Sequence, residues 1–193
     1  MRLVLLPGMD GTGDLFEPLI AVLLGKLQCK VIQYPPHKAL SYAELAEHVV
    51  PQLPVREEYV ILGKSFSGPI AVMIAESKPR NLVGLILCAT FARNPRPNFV
   101  RATLLFIGLG LKLSNSKLVW RLLLGRHYTH ALCNSLQTSI AKVDPKVLIG
   151  RVGEMKRIDV TCEPYPRGVE LSRTGKVPDE FLTHLFLWEG KAT

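Results

Sequence analysis

Ser65 is the residue of this sequence best placed to act as a nucleophile. It lies in the stretch G-K-S-F-S-G at residues 63–68, after a short apolar run and before the apolar residues of a predicted helix. This is the layout of a nucleophile elbow, G-x-S-x-G, with Ser67 at the position of the second glycine and Gly68 one place later. A serine on a sharp strand-to-helix turn has a strained backbone, so the positions two residues away, beginning with Gly63, must be small.

Two backbone N–H groups are expected to face the Ser65 oxygen. The turn directs the N–H of Phe66 and the positive end of the following helix at any anion that forms there. A second donor is expected from the glycine-rich loop at residues 8–13, which follows the first apolar run of the chain. Because such loops lie at the carboxyl ends of parallel strands, we expect the N–H of Met9 to lie over the Ser65 turn.

Both glycine-bearing loops allow other interpretations. Residues 63–68 could be an ordinary β-to-α loop with a serine cap. They also end like the phosphate-binding pattern G-x-x-x-x-G-K-[ST], but Glu58 stands where that pattern needs a glycine. The loop at residues 8–13 is not G-x-G-x-x-G, and the next strand ends in Tyr34-Pro35-Pro36 without a carboxylate for a ribose. We therefore expect no nucleotide cofactor.

The order of elements predicts an α/β fold. Apolar runs at residues 3–6, 30–34, 59–62 and 82–87 read as strands, and helical patterns separate them. One of these helices begins at a capping box, Ser41 to Glu44. Strands that alternate with helices predict a parallel sheet covered on both faces.

The chain is read as a single domain, 1–193, in three parts. Residues 1–92 form the sheet core with the elbow, residues 93–150 a helical lid without strands, and residues 151–193 an irregular tail with one late strand at 185–188. The lid carries too many apolar residues for one narrow stripe, Leu104, Leu105, Phe106 and Ile107 among them. Its inner face could form a pocket for an acyl chain, or the segment could be an ordinary buried helical core.

Composition limits the function classes. The chain has 193 residues, a net charge of +8, 48% hydrophobic and 21% charged residues, which is a globular composition. Its basic residues are scattered without interleaved aromatics, so we expect no nucleic-acid partner, and contact with an anionic membrane surface is the weaker alternative to a solvated surface. The longest apolar window, residues 102–111, is too short to cross a bilayer, and no secretory signal is visible, so we expect a cytoplasmic protein.

The cysteines do not indicate a metal or disulfide framework. Cys29, Cys88, Cys133 and Cys162 lie far apart and form no C-x-x-C pair. Cys29 and Cys88 fall in or beside predicted strands, which favours buried, reduced thiols. We expect no metal and no other cofactor.

The residues quoted above resemble the α/β-hydrolase superfamily, in particular its bacterial esterase and lipase-like members. The resemblance covers about the first half of the chain in order and spacing: the loop at 8–13, the helix after Ser41, the elbow and the strand that ends at Cys88. It implies Ser65 as the nucleophile and Phe66 and Met9 as oxyanion N–H donors, in an elbow shaped by Gly63, Ser67 and Gly68.

The second half departs from that family. Lys64 stands where members often carry a histidine or an acid, and the acid and histidine of the triad are expected near the end of the domain. Asp144, Asp159 and Asp179 do not follow a predicted strand. His184 precedes the late strand, which would place it at the wrong end of a parallel sheet. His48, His127 and His130 are read as structural or surface residues.

The resemblance therefore implies a serine hydrolase that acts on a carboxylic ester or related small acyl substrate with an apolar acyl part, through a Ser65 acyl-enzyme. The alternative is a catalytically incomplete or binding-only relative that lacks the acid and the histidine. The sequence does not indicate an oligomeric state.

Overall fold

Short runs of leucine and β-branched residues form the strands, and the longer amphipathic stretches between them form the helices. The computed structural model describes residues 1–91, 129–158, 169–173 and 184–189. Within these ranges, single 3-10 turns at Asp14–Phe16, Val50–Gln52 and Ser65–Ser67 join neighbouring elements. The elements in chain order are β1 Arg2–Leu6, α1 Glu17–Leu23, β2 Gln28–Val31, α2 Tyr42–Val49, β3 Tyr59–Lys64, α3 Gly68–Glu76, β4 Leu82–Cys88, α4 His130–Ala141, α5 Pro145–Arg157, β5 Val169–Arg173 and β6 His184–Glu189.

The described strands form one sheet in the order β2-β1-β3-β4-β6-β5. The first four strands of the chain pair in parallel, as the alternation of strands and helices predicts. The predicted late strand is present as β6, but it runs antiparallel to β4, and β5 in turn runs antiparallel to β6. The sheet is therefore parallel up to β4 and mixed beyond it.

The sheet is covered on both faces. Val4 and Leu6 belong to one apolar cluster, which includes residues of α2 and α3, whereas Leu3 and Leu5 pack with Phe16 on the other side. All four leucine and valine residues of β1 are at most 5% exposed. Successive side chains of a strand point to opposite faces, so a run without polar residues is what a doubly covered strand requires.

The capping box predicted before α2 is present. The Ser41 hydroxyl accepts a hydrogen bond from the backbone N–H of Glu44, and the Glu44 carboxylate accepts one from the N–H of Ser41 at 2.8 Å. Two otherwise unpaired donors are thereby satisfied at the start of the helix.

The region predicted to be a helical lid, residues 93–150, is described only in its last part, which contains α4 and the beginning of α5. α5 continues to Arg157, and β5 forms at Val169–Arg173, both within the stretch 151–193 that the sequence predicts to be an irregular tail with one late strand. The tail is therefore more regular than its loop-like composition indicates. The apolar segment around Leu104 to Ile107, with His127, lies outside the described residues, as do Asp159, Cys162 and Asp179. Within the residues that the structure describes, no helix combines the length and the apolar composition needed to cross a bilayer.

The prediction of buried thiols is wrong for Cys88. Its side chain is exposed, that of Cys29 is partly exposed, and Cys133 in α4 is buried; all three are free thiols. Cys88 is the last residue of β4, where the chain leaves the sheet and its covering helices. A strand pattern alone does not show where that cover ends.

The central strand β1 gives a direct test of the packing. Leu5 is fully buried, and Leu24, just beyond α1, is 79% exposed. We expect Leu5→Ala to lower the free energy of unfolding by about 2–5 kcal/mol, because it leaves a cavity in the core. The same substitution at Leu24 should change it by less than about 0.5 kcal/mol. Urea unfolding followed by circular dichroism measures both, and equal losses would contradict the placement of β1.

Candidate active site

Ser65 occupies a strained turn at the carboxyl end of β3. Its φ angle is 51°, in the left-handed region that residues with a side chain rarely adopt. Lys64, the last residue of β3, precedes it, and the 3-10 turn that begins with Ser65 leads directly into α3. Such a conformation costs on the order of 1–3 kcal/mol and persists only where surrounding contacts impose it. The side chain of Ser65 is partly exposed to solvent.

Contacts from Thr90 and from α3 impose this turn. The hydroxyl of Thr90, just past β4, donates a hydrogen bond to the Ser65 carbonyl, which also accepts the N–H of Gly68. A Cβ on Gly63 would lie 2.8 Å from the Cβ of Ala71, and one on Gly68 would lie 2.7 Å from the Cβ of Thr90. Both distances are shorter than real side chains allow. The turn therefore requires glycine at both positions because α3 and Thr90 approach so closely.

Phe66 fixes the start of α3 in the core. Its side chain is fully buried, stacks on Tyr42 with ring centroids 4.8 Å apart, and meets the edge of Tyr34 at 6.5 Å. Because Phe66 is in the first turn of the helical segment, its backbone N–H has no acceptor within the helix. The helix itself therefore makes no use of this N–H.

The N–H of Met9 is directed outward by a tight turn. The carbonyl of Gly8 accepts the N–H of Gly11 at 3.0 Å, so this carbonyl points into the turn. The Gly8 carbonyl and the Met9 N–H belong to one trans peptide and therefore point in opposite directions. Among the described residues, no hydrogen bond occupies the Met9 N–H. Within that part of the chain, the loop itself makes no use of this N–H.

Ser67 connects this loop to the elbow. Its fully buried hydroxyl donates to the carbonyl of Pro7 and is also hydrogen-bonded to the hydroxyl of Tyr34. A hydroxyl has one proton, so the Tyr34 hydroxyl must be the donor to Ser67. Burial raises the pKa of Tyr34 above its ordinary value, which keeps that proton in place. The serine that replaces the second glycine of the elbow pattern thus holds the loop at residues 8–13, here called the Met9 loop, against α3.

Lys64 directly follows Gly63 in β3, so its side chain lies on the opposite face of the sheet from α3, which packs against Gly63. Its ammonium nitrogen lies 5.5 Å from the ring centroid of Phe16. Burial lowers the pKa of Lys64, and the nearby Asp10 and Cys88 act in the opposite direction. The Lys64 side chain is therefore partly desolvated and lies near Asp10 of the Met9 loop.

No side chain among the described residues is hydrogen-bonded to the Ser65 hydroxyl. His37 lies 3.1 Å from the carboxylate of Asp144, just before α5, and His48 contacts the Gln33 carbonyl at 3.1 Å. His130 begins α4. These contacts do not include the Ser65 hydroxyl.

The expectation that His184 lies at the wrong end of the sheet is wrong. It assumed a parallel late strand, whereas β6 is antiparallel to β4 with Phe186 opposite Leu87. The beginning of β6 therefore lies at the carboxyl end of β4, on the edge of the sheet where β3 reaches Ser65. His184 is the first residue of β6. The pairing direction of a strand depends on tertiary contacts, which the apolar pattern does not report.

Within the described part of the chain, no three side chains of histidine, cysteine, aspartate or glutamate come together in a way that could hold a metal ion. A groove of about 760 Å³ opens elsewhere, at the amino end of β1 beside α1. Arg2 in that groove is paired with Glu57 at 2.8 Å and with Gln28 at 3.0 Å. Because the groove lies at the amino ends of the parallel strands, it is far from the carboxyl end of β3, where Ser65 lies.

Comparison with known proteins identifies the fold. No family model matches the sequence, and no curated protein does. Among solved structures, a carboxylesterase from Nitrososphaera gargenis is similar with a TM-score of 0.64 at 14% identity, over 81% of this chain and 64% of that one. A thermophilic esterase from Thermogutta terrifontis is similar with a TM-score of 0.62 at 17% identity, over 83% and 65%.

A third example is an N-formylmaleamic acid deformylase from Pseudomonas putida S16, with a TM-score of 0.61 at 15% identity, over 80% of this chain and 65% of that one. This chain thus spans a little under two thirds of the length of these three proteins. The parallel strands, the strand-to-helix turn at Ser65 and these likenesses show that the chain has an α/β-hydrolase fold.

Gly68 is a position in the elbow where an added side chain should destabilise the fold. We expect Gly68→Ala to lower the free energy of unfolding by about 1–3 kcal/mol, because the added methyl group overlaps the side chain of Thr90. Gly153 in α5 is a matched control, since nothing lies within 4 Å of its added Cβ. There the same substitution should stabilise the helix by roughly 0.5–1 kcal/mol. Thermal unfolding of both variants measures the difference in sign.

Ser67 should contribute more than an ordinary helix serine. We expect Ser67→Ala to cost about 1–3 kcal/mol, because it leaves the buried Tyr34 hydroxyl and Pro7 carbonyl without their partner. The control is Ser77→Ala at the end of α3, where an exposed hydroxyl donates to the Ile74 carbonyl. That change should cost less than about 0.5 kcal/mol. Equal unfolding midpoints in urea would show that Ser67 does not hold the loop.

Proposed function

We propose that the protein is a serine hydrolase that cleaves a carboxylic ester or a related acyl compound with an apolar acyl part. The observation that carries the proposal is the backbone of Ser65, with a φ angle of 51° on a turn between β3 and α3. Strain of this kind concentrates at functional sites, and this turn presents a hydroxyl group at the carboxyl edge of a parallel sheet. Esterases and hydrolases of the same fold are consistent with this chemistry.

The proposed reaction has two halves. A base removes the Ser65 proton as the oxygen attacks the acyl carbonyl, and the resulting oxyanion accepts hydrogen bonds from the N–H groups of Met9 and Phe66. The alcohol leaves with a proton from the protonated base, and an acyl-enzyme remains on Ser65. Water, activated by the same base, then attacks the acyl carbon and releases the acid.

The two amides fit this role for physical reasons. The Phe66 N–H is at the start of the helical segment, and the Met9 N–H is turned outward by the Gly8 to Gly11 hydrogen bond. Donors held in place before the reaction need no reorganisation when charge develops on the oxygen. One such donor is typically worth about 3 kcal/mol of transition-state stabilisation.

The remaining expectations also belong to this proposal. The substrate is a small molecule, no cofactor is required, and the protein acts in the cytoplasm without binding nucleic acid. An apolar acyl group would lie against residues of the lid, whose larger part is outside the described residues.

A fluorophosphonate probe tests the nucleophile. We expect the wild-type protein to be labelled and Ser65→Ala not to be, because the probe reacts with an activated serine oxygen. Ser77→Ala, at the far end of α3, is the control and should be labelled like the wild type. Hydrolysis of p-nitrophenyl esters should fall at least about 1,000-fold in Ser65→Ala only. Labelling of Ser65→Ala at the wild-type rate would exclude Ser65.

The base can be found with the same probe. Each of the five histidines is replaced by glutamine in turn, and the variant that loses labelling while remaining folded identifies the group that activates Ser65. The five positions are His37, His48, His127, His130 and His184. If the folded wild-type protein is neither labelled nor able to hydrolyse esters, the binding-only alternative replaces the proposal.

A further inference from the structure

Arg151 is a buried cation at a core position of α5. Its side chain is 1% exposed, and Val147, Leu148, Val152 and Met155 are buried with it on the same helix. Burial lowers the pKa of the Arg151 guanidinium, whereas the nearby Tyr34 and Asp10 raise it. A guanidinium loses its proton only far above neutral pH, so the group remains charged. Such a charge is costly to bury unless its donors are paired.

The partners of Arg151 are backbone carbonyls. One terminal nitrogen donates to the Met9 carbonyl at 2.7 Å and to the Asp10 carbonyl at 3.0 Å, and the other donates to the Pro35 carbonyl at 3.0 Å. The guanidinium carbon lies 5.7 Å from the ring centroid of Tyr34. Among the described residues, Arg151 forms no ion pair with a carboxylate. The side chain is therefore used to hold two loops rather than to neutralise a charge.

The Met9 loop is shaped around this group. Gly11 has a φ angle of 72°, and a Cβ there would lie 2.7 Å from one guanidinium nitrogen and 3.0 Å from the other. A side chain at position 11 would therefore be strained and would displace Arg151. Glycine lets the loop close over the guanidinium.

These contacts place the Met9 N–H between two attachments. On one side, Ser67 of the elbow binds the Pro7 carbonyl. On the other, Arg151 binds the carbonyls of Met9 and Asp10. The peptide that carries the Met9 N–H lies between these two points. Because the backbone is held on both sides, this peptide cannot rotate freely.

We propose that Arg151 is a positioning residue that holds the Met9 amide in the geometry needed to bind the oxyanion. The proposal rests on the proposed function, because the amide has a catalytic task only if Ser65 forms an acyl-enzyme. Arg151 acts through the Met9 loop and does not itself touch the substrate. It couples α5, from the second half of the chain, to the site formed by the first half.

The test compares Arg151→Met and Arg151→Lys with Arg157→Met. Arg157 is in the same helix with its side chain 82% exposed, so it is a matched control for loss of a positive charge. The first measurement is amide hydrogen exchange by NMR, which does not require activity. We expect the Gly11 amide, bonded to the Gly8 carbonyl, to exchange roughly 10-fold faster in Arg151→Met. The Tyr59 amide, bonded to the Asn81 carbonyl, should keep its rate.

The second measurement is steady-state hydrolysis of a p-nitrophenyl ester. Removing one oxyanion donor lowers kcat by about 100- to 1,000-fold, so a displaced donor should lower it by roughly 10- to 100-fold with KM changed less than about threefold. Arg151→Lys should fall between the wild type and Arg151→Met, because an ammonium can reach one carbonyl group without spanning both loops. Arg157→Met should match the wild type in every measurement.

The outcomes separate the two proposals. A folded wild-type protein that is neither labelled by the fluorophosphonate nor able to hydrolyse esters refutes the proposed function and with it the catalytic role of the loop. Gly11 exchange still shows in that case whether Arg151 holds the loop. A labelled wild type with unchanged Gly11 exchange and unchanged kcat in Arg151→Met overturns the positioning role. Faster exchange at Gly11 and Tyr59 alike also overturns it, because the effect is then a general loss of stability. Where Arg151→Met does not fold, Arg151→Lys decides by the same criteria.

Discussion

The conformation of Ser65 is the constraint on which the rest of the site depends. A left-handed backbone at a serine is unfavourable by itself, so the surrounding contacts must exclude the relaxed alternatives. Thr90 binds the Ser65 carbonyl from the end of β4, and α3 approaches so closely that Gly63 and Gly68 have no room for a Cβ. The strain is therefore maintained by two strands and a helix together. Its consequence is a hydroxyl group just beyond the end of β3, at the carboxyl edge of the parallel strands.

Buried polar side chains also stabilise the irregular backbone of the loops around this turn. Loop carbonyls that do not belong to a strand or helix still need donors when they are removed from water. The Ser67 hydroxyl supplies one to Pro7, and Arg151 supplies them to Met9, Asp10 and Pro35. Each contact also fixes a distance between elements that are far apart in sequence. The same hydrogen bonds that stabilise the loops thus define the shape of the site.

The direction of the late strands shows how sequence patterns can mislead about a site. An apolar run at residues 185–188 indicates a strand but carries no information about the direction of its pairing. The antiparallel pairing of β6 with β4 places His184 at the same edge of the sheet as Ser65, which reverses the expectation from a parallel arrangement. The sequence pattern likewise does not assign Tyr34 or Arg151 to the site. The signal that existed for Arg151 was a charged residue within the apolar stripe of an otherwise amphipathic helix.

The local features of this protein can be predicted from its amino-acid sequence, because their causes lie within a few residues. The parallel strands β1 to β4, the capping box at Ser41, and the turn between β3 and α3 follow from apolar periodicity, side-chain capping and the need for small residues. Only the folded chain shows which distant groups meet at the site: Thr90 contacts Ser65, Tyr34 contacts Ser67, and Arg151 contacts the Met9 loop. These contacts join residues 25 to 142 positions apart in the chain. Such pairs depend on how whole helices and strands pack against one another. A local sequence pattern carries no information about the free energy of that packing.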